Sequence, residues 1–327
     1  MASARRRIRS ALAATLAAAA VALTTAAAPS GDPYAAPTAA VPLGTSVGTN
    51  PGASLDARYG AVRHDIARAW ETATRVHDSA MRRSLADLLA PGRQFLSFDA
   101  RGSGRVVEVF GDLASAERIA VVVPGADGRV TNFDSRKFAG GGARALAGQI
   151  RAEAPDTDVA VVAWLGYAAP ASLSPAILTD GRAIGGSHRL EGLVAELRTL
   201  NPAASVALLC HSYGSVVCAK AADGPSVDDI AFFGSPGTGV DEAEDLHTDA
   251  RVWAGRGSHD WIQLVPHASL LGFGFGADPV SRGYHARVFD AGSVGHSDYF
   301  KPGTASLRNL ARIALGRESE VGRADYR

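Results

Sequence analysis

A serine hydroxyl attacks a carbonyl only where a base can take its proton and nearby N–H groups can hold the oxyanion that forms. One stretch of this 327-residue sequence has the residue types for that chemistry, Val206-Ala207-Leu208-Leu209-Cys210-His211-Ser212-Tyr213-Gly214-Ser215-Val216-Val217. An apolar run reads as a buried strand, and a helix begins directly after Ser212. A serine on such a strand–turn–helix connection projects its Oγ above the sheet edge, and its neighbours must be small because strand and helix pass close together. The helix N-terminus also favours developing negative charge.

A base and an orienting acid should then follow in chain order, each in a loop beyond a strand. Asp260 follows the apolar run Val252–Ala254, within Gly257-Ser258-His259-Asp260-Trp261. His296 follows Arg287–Asp290, within Gly295-His296-Ser297-Asp298-Tyr299. Both fall at the carboxyl ends of strands, where functional groups of open parallel sheets gather. Asp298, Asp290 and Asp245 compete with Asp260 for the acid. His211 would point away from the Ser212 hydroxyl and reads as packing or elbow support. His64, His77, His188, His247, His259, His267 and His285 lack the required context. For the oxyanion, the backbone N–H groups of Tyr213 and of Ala126 are the expected donors, with Asp127 next in order. Ala126 and Asp127 lie in Pro124-Gly125-Ala126-Asp127-Gly128, after the third expected strand.

The elements that must position these residues are legible as alternating patterns. Gln94–Asp99 and Arg105–Phe110 flank Gly102-Ser103-Gly104 as a hairpin. Ile119–Val123, Val159–Trp164, Val206–Leu209 and Ile230–Phe233 are apolar without alternation, as strands covered on both faces are. Helical patterns near Phe138–Ala152, His188–Leu200, Tyr213–Ala222 and Ala305–Leu315 intervene. The expected fold is α/β: a mostly parallel central sheet, helices on both faces, an antiparallel entry hairpin and an N-terminal helical segment.

Residues 1–28 read as a signal peptide: Arg5-Arg6-Arg7 and Arg9, an Ala-rich apolar run from Ala11 to Leu23, and a small-residue exit at Ala26–Ala28. The run is shorter than the roughly 20 residues a membrane span needs. The general export route is favoured over the twin-arginine one, and cleavage would leave a secreted or cell-envelope protein. Residues 29–53, rich in Pro, Ala, Gly and Thr, read as a flexible spacer. Residues 54–92 read as an N-terminal helical segment, with Ala61, Ile66, Ala69, Trp70, Ala73 and Val76 on a single face. The catalytic domain is expected over 93–318 and a tail over 319–327.

Charge is balanced, with 33 basic and 33 acidic residues, so nothing electrostatic points to nucleic acid. No metal or cofactor is expected. Cys210 and Cys218 are the only cysteines. A bridge would need their Cα atoms within about 7 Å, closer than helix–sheet spacing usually brings two residues, which argues against one. The apolar loop Leu270–Phe275 is read first as packing and second as an acyl pocket.

These landmarks resemble the actinobacterial α/β-hydrolases long grouped as a domain of unknown function. The shared segments are Gly111-Asp112-Leu113, Val123-Pro124-Gly125, Trp164-Leu165-Gly166-Tyr167, His211-Ser212-Tyr213-Gly214-Ser215, Gly234-Ser235-Pro236-Gly237 and Gly295-His296-Ser297-Asp298-Tyr299. The resemblance implies Ser212 as nucleophile, Asp260 as acid and His296 as base. Two positions depart from the family pattern. Cys210 replaces the usual Gly, which would widen the strand–helix approach, and Trp261 replaces the usual Pro after the acid. The expected activity is hydrolysis of a small-molecule or lipid carboxylic ester. Acyl transfer in the cell envelope through the same residues, and a non-catalytic binding protein on the same fold, are the alternatives.

Overall fold

Eight strands form one sheet in the order β1-β2-β4-β3-β5-β6-β7-β8. They are β1 (Gln94–Asp99), β2 (Arg105–Phe110), β3 (Arg118–Val123), β4 (Val159–Leu165), β5 (Ser205–His211), β6 (Asp229–Phe233), β7 (Arg251–Gly255) and β8 (Arg287–Val288). The computed structural model describes residues 31–38, 43, 51–265 and 275–326. The β1–β2 and β2–β4 pairs are antiparallel and all others are parallel. This is the expected α/β architecture with its entry hairpin.

The apolar strands are continuous because both faces are covered. Ile119, Val121 and Val123 of β3 point to one layer with Leu208 and Cys210 of β5. That layer is closed by α4 (Gly181–Leu200) through Leu190 and Leu197, and by α5 (Gly214–Lys220) through Val216 and Val217. Ala120, Val122 and Leu209 point to the other layer. It is closed by α1 (Pro51–Arg75), α2 (Ser79–Leu88), α3 (Ala139–Glu153) and α6 (Ala305–Ala314), through Ile66, Leu85, Leu146 and Leu310.

The N-terminal segment is two helices, broken where His77 adopts φ 58° and Asp78 caps the second by accepting from the Met81 N–H. The face of α1 that meets the sheet is Leu55, Val62, Ile66, Ala69 and Ala73, while Trp70 and Val76 are exposed. Part of the expected spacer is seated on this segment. The Thr38 N–H and hydroxyl both donate to Asp65, and the Tyr34 hydroxyl donates to Asp78. The tail is seated too: Phe289 bridges Arg323, and the Ala324 N–H donates to the Val288 carbonyl. The expected signal peptide lies outside the described residues, as does the apolar loop apart from Phe275. Among the described residues no helix is long and apolar enough to cross a membrane.

Cys210 and Cys218 are joined by a disulfide, with Cα atoms 6.4 Å apart. This corrects the expectation from helix–sheet spacing. Gly214 turns the chain so tightly that a Cβ there would meet the Val123 carbonyl oxygen at 2.7 Å, so α5 starts against the strands rather than at ordinary packing distance. Closing a loop of this size restricts the unfolded chain by about 2–3 kcal/mol. Replacing both cysteines by Ala is therefore expected to lower the urea-unfolding free energy by about that amount. Wild-type protein in reductant should approach the same value once unfolding exposes the bridge.

Candidate functional site

Ser212 stands at the end of β5 in a left-handed conformation, φ 53°, with its N–H donating to the Phe233 carbonyl on β6. A non-glycine residue held there is strained, and it persists because the surrounding bonds fix it. The turn lifts the hydroxyl above the carboxyl edge of the sheet, as a strand–turn–helix elbow should.

His296 and Asp260 come to it from the two loops named by chain order. The Ser212 Oγ lies 3.0 Å from His296 Nε2. His296 Nδ1 lies 2.9 and 3.1 Å from the two oxygens of Asp260. With Nδ1–H donating to the carboxylate, Nε2 is left to accept the serine proton. Asp260 is completely buried and caps a short 3₁₀ helix, Trp261–Leu264, by accepting from the Ile262 N–H at 2.9 Å. Burial opposes its ionisation, but hydrogen bonds from His296, Tyr299 and the Ile262 N–H outweigh that and hold its pKa below the usual carboxylate value.

The competing residues are occupied elsewhere. Asp298 pairs with Arg136, the Asp290 carboxylate accepts from the Gly292 N–H, and Asp245 is exposed. His64, His77, His188, His247, His259 and His285 are exposed, and His267 lies outside the described residues.

His211 supports the elbow as expected, through a specific contact. Its Nε2–H donates to the backbone carbonyl of His296 at 2.8 Å, and its ring packs beside Phe233, His296 and Tyr299. Burial, with repulsion from His296, pushes its pKa down to about 3. It therefore stays neutral and places no charge beside His296.

The loop after β3 is drawn against the elbow. A Cβ on Gly125 would stand 2.7 Å from Ser212 Cβ and 3.1 Å from its Oγ, so only glycine allows this approach. The Tyr167 hydroxyl, buried below the loop, lies 2.9 Å from the Pro124 carbonyl and 3.1 Å from that of Gly125, donating to them. Asp127 is corrected as an oxyanion donor because its N–H is spent on the Pro170 carbonyl at 2.9 Å. Among the described residues the Ala126 and Tyr213 N–H groups have no such acceptor. The Tyr213 side chain is buried, with its hydroxyl donating to the Thr179 carbonyl at 2.7 Å and accepting from the Ala183 N–H at 3.2 Å. That anchoring fixes the backbone immediately after Ser212.

Two contributors go beyond the residues singled out by type and spacing. Tyr299, known from sequence only as a shared landmark, donates its hydroxyl to Asp260 Oδ2 at 2.5 Å and accepts from the Gly257 N–H at 3.1 Å. Gly234 makes room for this pair: at φ 56°, a Cβ there would meet Asp260 Oδ2 and the Tyr299 ring at 2.9 Å. Trp261, the departure after the acid, lays its ring 4.5 Å from that of His296 while remaining 55% exposed. It shields one side of the imidazole. A Pro-to-Trp difference in one sequence carries no sign of that contact.

Among known proteins, residues 99–270 match the family described as alpha/beta hydrolase, which takes in Ser212 and Asp260 and stops short of His296. An uncharacterized protein of Mycobacterium tuberculosis strain H37Rv is 32% identical over 252 residues, covering 66% of this chain and 37% of the relative. The chain thus spans little more than a third of that relative's length. An uncharacterized Mycobacterium bovis protein is 36% identical over 179 residues, covering 50% of this chain and 66% of its own length. Among solved structures, a serine hydrolase without a lid from Xanthomonas campestris aligns at TM-score 0.44 and 14% identity, covering 70% of this chain and 96% of its own. A serine hydrolase homologue from Coxiella burnetii aligns at 0.41 and 12%, covering 70% and 97%. Scores this low add nothing to the assignment, which rests on the family match over more than half of the sequence. The chain belongs to the alpha/beta hydrolase family.

Proposed function

We propose that this hydrolase is an exported serine esterase that cleaves carboxylic esters through an acyl-enzyme on Ser212. The observation that carries the reading is the unbroken row from Ser212 Oγ through both ring nitrogens of His296 to the buried Asp260. His296 Nε2 takes the serine proton as Oγ bonds to the ester carbon, and the carbonyl electrons move onto oxygen. The Tyr213 and Ala126 N–H groups would receive that oxyanion. Collapse breaks the bond to the alcohol oxygen, which leaves with the proton from His296. Water, deprotonated by the same nitrogen, then releases the acid and restores Ser212. Asp260 holds the imidazole in the tautomer the cycle requires and offsets the charge it gains.

Export is part of the same proposal. The Arg-rich start and apolar run support it, and so does a disulfide beneath the nucleophile, since such bridges persist in oxidising compartments. The test is rapid mixing with p-nitrophenyl butanoate. The expected result is a burst of nitrophenol equal to the enzyme concentration, followed by steady turnover. Folded protein that gives neither burst nor turnover contradicts the reading. Adding an acceptor alcohol separates hydrolysis from transfer, because transfer would divert the acyl group from acid to a new ester.

A further inference from the structure

Most of the large apolar side chains that are exposed among the described residues lie on the segments that follow β4 and β7: Leu173, Leu178, Ile184, Trp261 and Leu264. Leu173 is fully exposed and Leu264 is 81% exposed. Isolated exposed leucines need no explanation, but a group of them around a concave or reactive site marks a binding surface.

Their supports tie them to the reacting centre from both sides. Leu173 follows Ser172, whose N–H and hydroxyl both donate to the Asp127 carboxylate, one residue beyond Ala126. Leu178 precedes Thr179, whose carbonyl accepts from the Tyr213 phenol. On the other side, Trp261 and Leu264 lie on the 3₁₀ helix capped by Asp260 itself. In the sheet order, β4 and β7 lie on opposite sides of β5, so the segments that follow them flank the nucleophile. A substrate whose ester carbon meets Ser212 therefore has exposed apolar side chains on the segments to either side of it.

We propose that Leu173, Leu178 and Leu264 form an open apolar rim that selects esters of medium- and long-chain fatty acids. This rests on the serine-hydrolase reading of Ser212 and names its substrate class. An acyl chain lying on the rim removes methylenes from water on both partners, and each methylene buried is worth about fourfold in kcat/KM. Selectivity of this kind follows chain length rather than head group.

The experiment measures kcat/KM for monomeric p-nitrophenyl acetate, butanoate, hexanoate and octanoate, with labelling of Ser212 by a fluorophosphonate as a parallel readout. Wild-type protein and the triple variant Leu173→Ser, Leu178→Ser, Leu264→Ser are compared. The wild type should rise about fourfold per methylene over part of the series. The variant should lose at least about tenfold on octanoate while acetate turnover and labelling stay within about twofold, since the three leucines touch the chain and not the reacting atoms. A flat or falling series in labelled wild-type protein overturns the rim, as does a variant that loses acetate and octanoate equally. Failure of wild-type Ser212 to label would instead defeat the underlying serine-hydrolase reading, so the two failures are distinguishable.

Discussion

Ser212→Ala is expected to lower kcat for a nitrophenyl ester on the order of 10⁵-fold to 10⁶-fold, with the thermal transition unchanged. His296→Ala should cost about as much, and the double variant should be scarcely worse than either single one. In the proposed cycle nucleophile and base act as one unit: without Nε2 the serine hydroxyl would keep its proton, and without Oγ the imidazole would have nothing to activate except water. What survives would be the contribution of the Ala126 and Tyr213 N–H groups and of substrate binding. The measurement is single-turnover release of nitrophenol by the four proteins. Additive losses in the double variant would mean that the two side chains, 3.0 Å apart, do not share a step.

Asp260→Asn is expected to reduce kcat about 10⁴-fold while leaving KM within a few-fold. The carboxylate accepts from His296, Tyr299 and the Ile262 N–H at once, in a site with no exposure to water. An amide of the same size fills the space but turns a donor toward His296 Nδ1. The imidazole then carries its proton on Nε2, where it cannot accept one from Ser212. The loss should persist through neutral pH. Since the Asp260 pKa is held below its ordinary value, the wild-type carboxylate is fully charged there, and its protonation matters only at lower pH. Steady-state kinetics on Asp260→Asn and Asp260→Glu check this. An Asn variant near wild-type rate would return the acid's role to another carboxylate.

The strands were legible because a parallel sheet covered on both faces leaves runs such as Arg118–Val123 and Val159–Leu165 almost wholly apolar. Given those strands, chain order and strand ends point to Ser212, Asp260 and His296, and the structure brings these three within hydrogen-bonding distance. Other features depend on contacts between residues far apart in sequence. Tyr299 reaches Asp260 only because Gly234, on another loop, lacks a Cβ. The break between α1 and α2 falls on His77 in the left-handed region, where glycine or asparagine would have announced it. Trp70 and Val76 fall on the expected apolar stripe yet are exposed, Val76 one residue past the end of α1. Average helix–sheet spacing argues against the disulfide, but the tight turn at Gly214 does not obey that average. Asp127 had the right position for an oxyanion donor, but its N–H had already been claimed by Pro170.

The most direct test of the account is to treat folded protein with a fluorophosphonate probe and map the modified peptide by mass spectrometry. The account predicts stoichiometric modification at Ser212, absent in Ser212→Ala and slowed by orders of magnitude in His296→Ala. Folded wild-type protein that remains unlabelled, or that is labelled at a different residue, would contradict it.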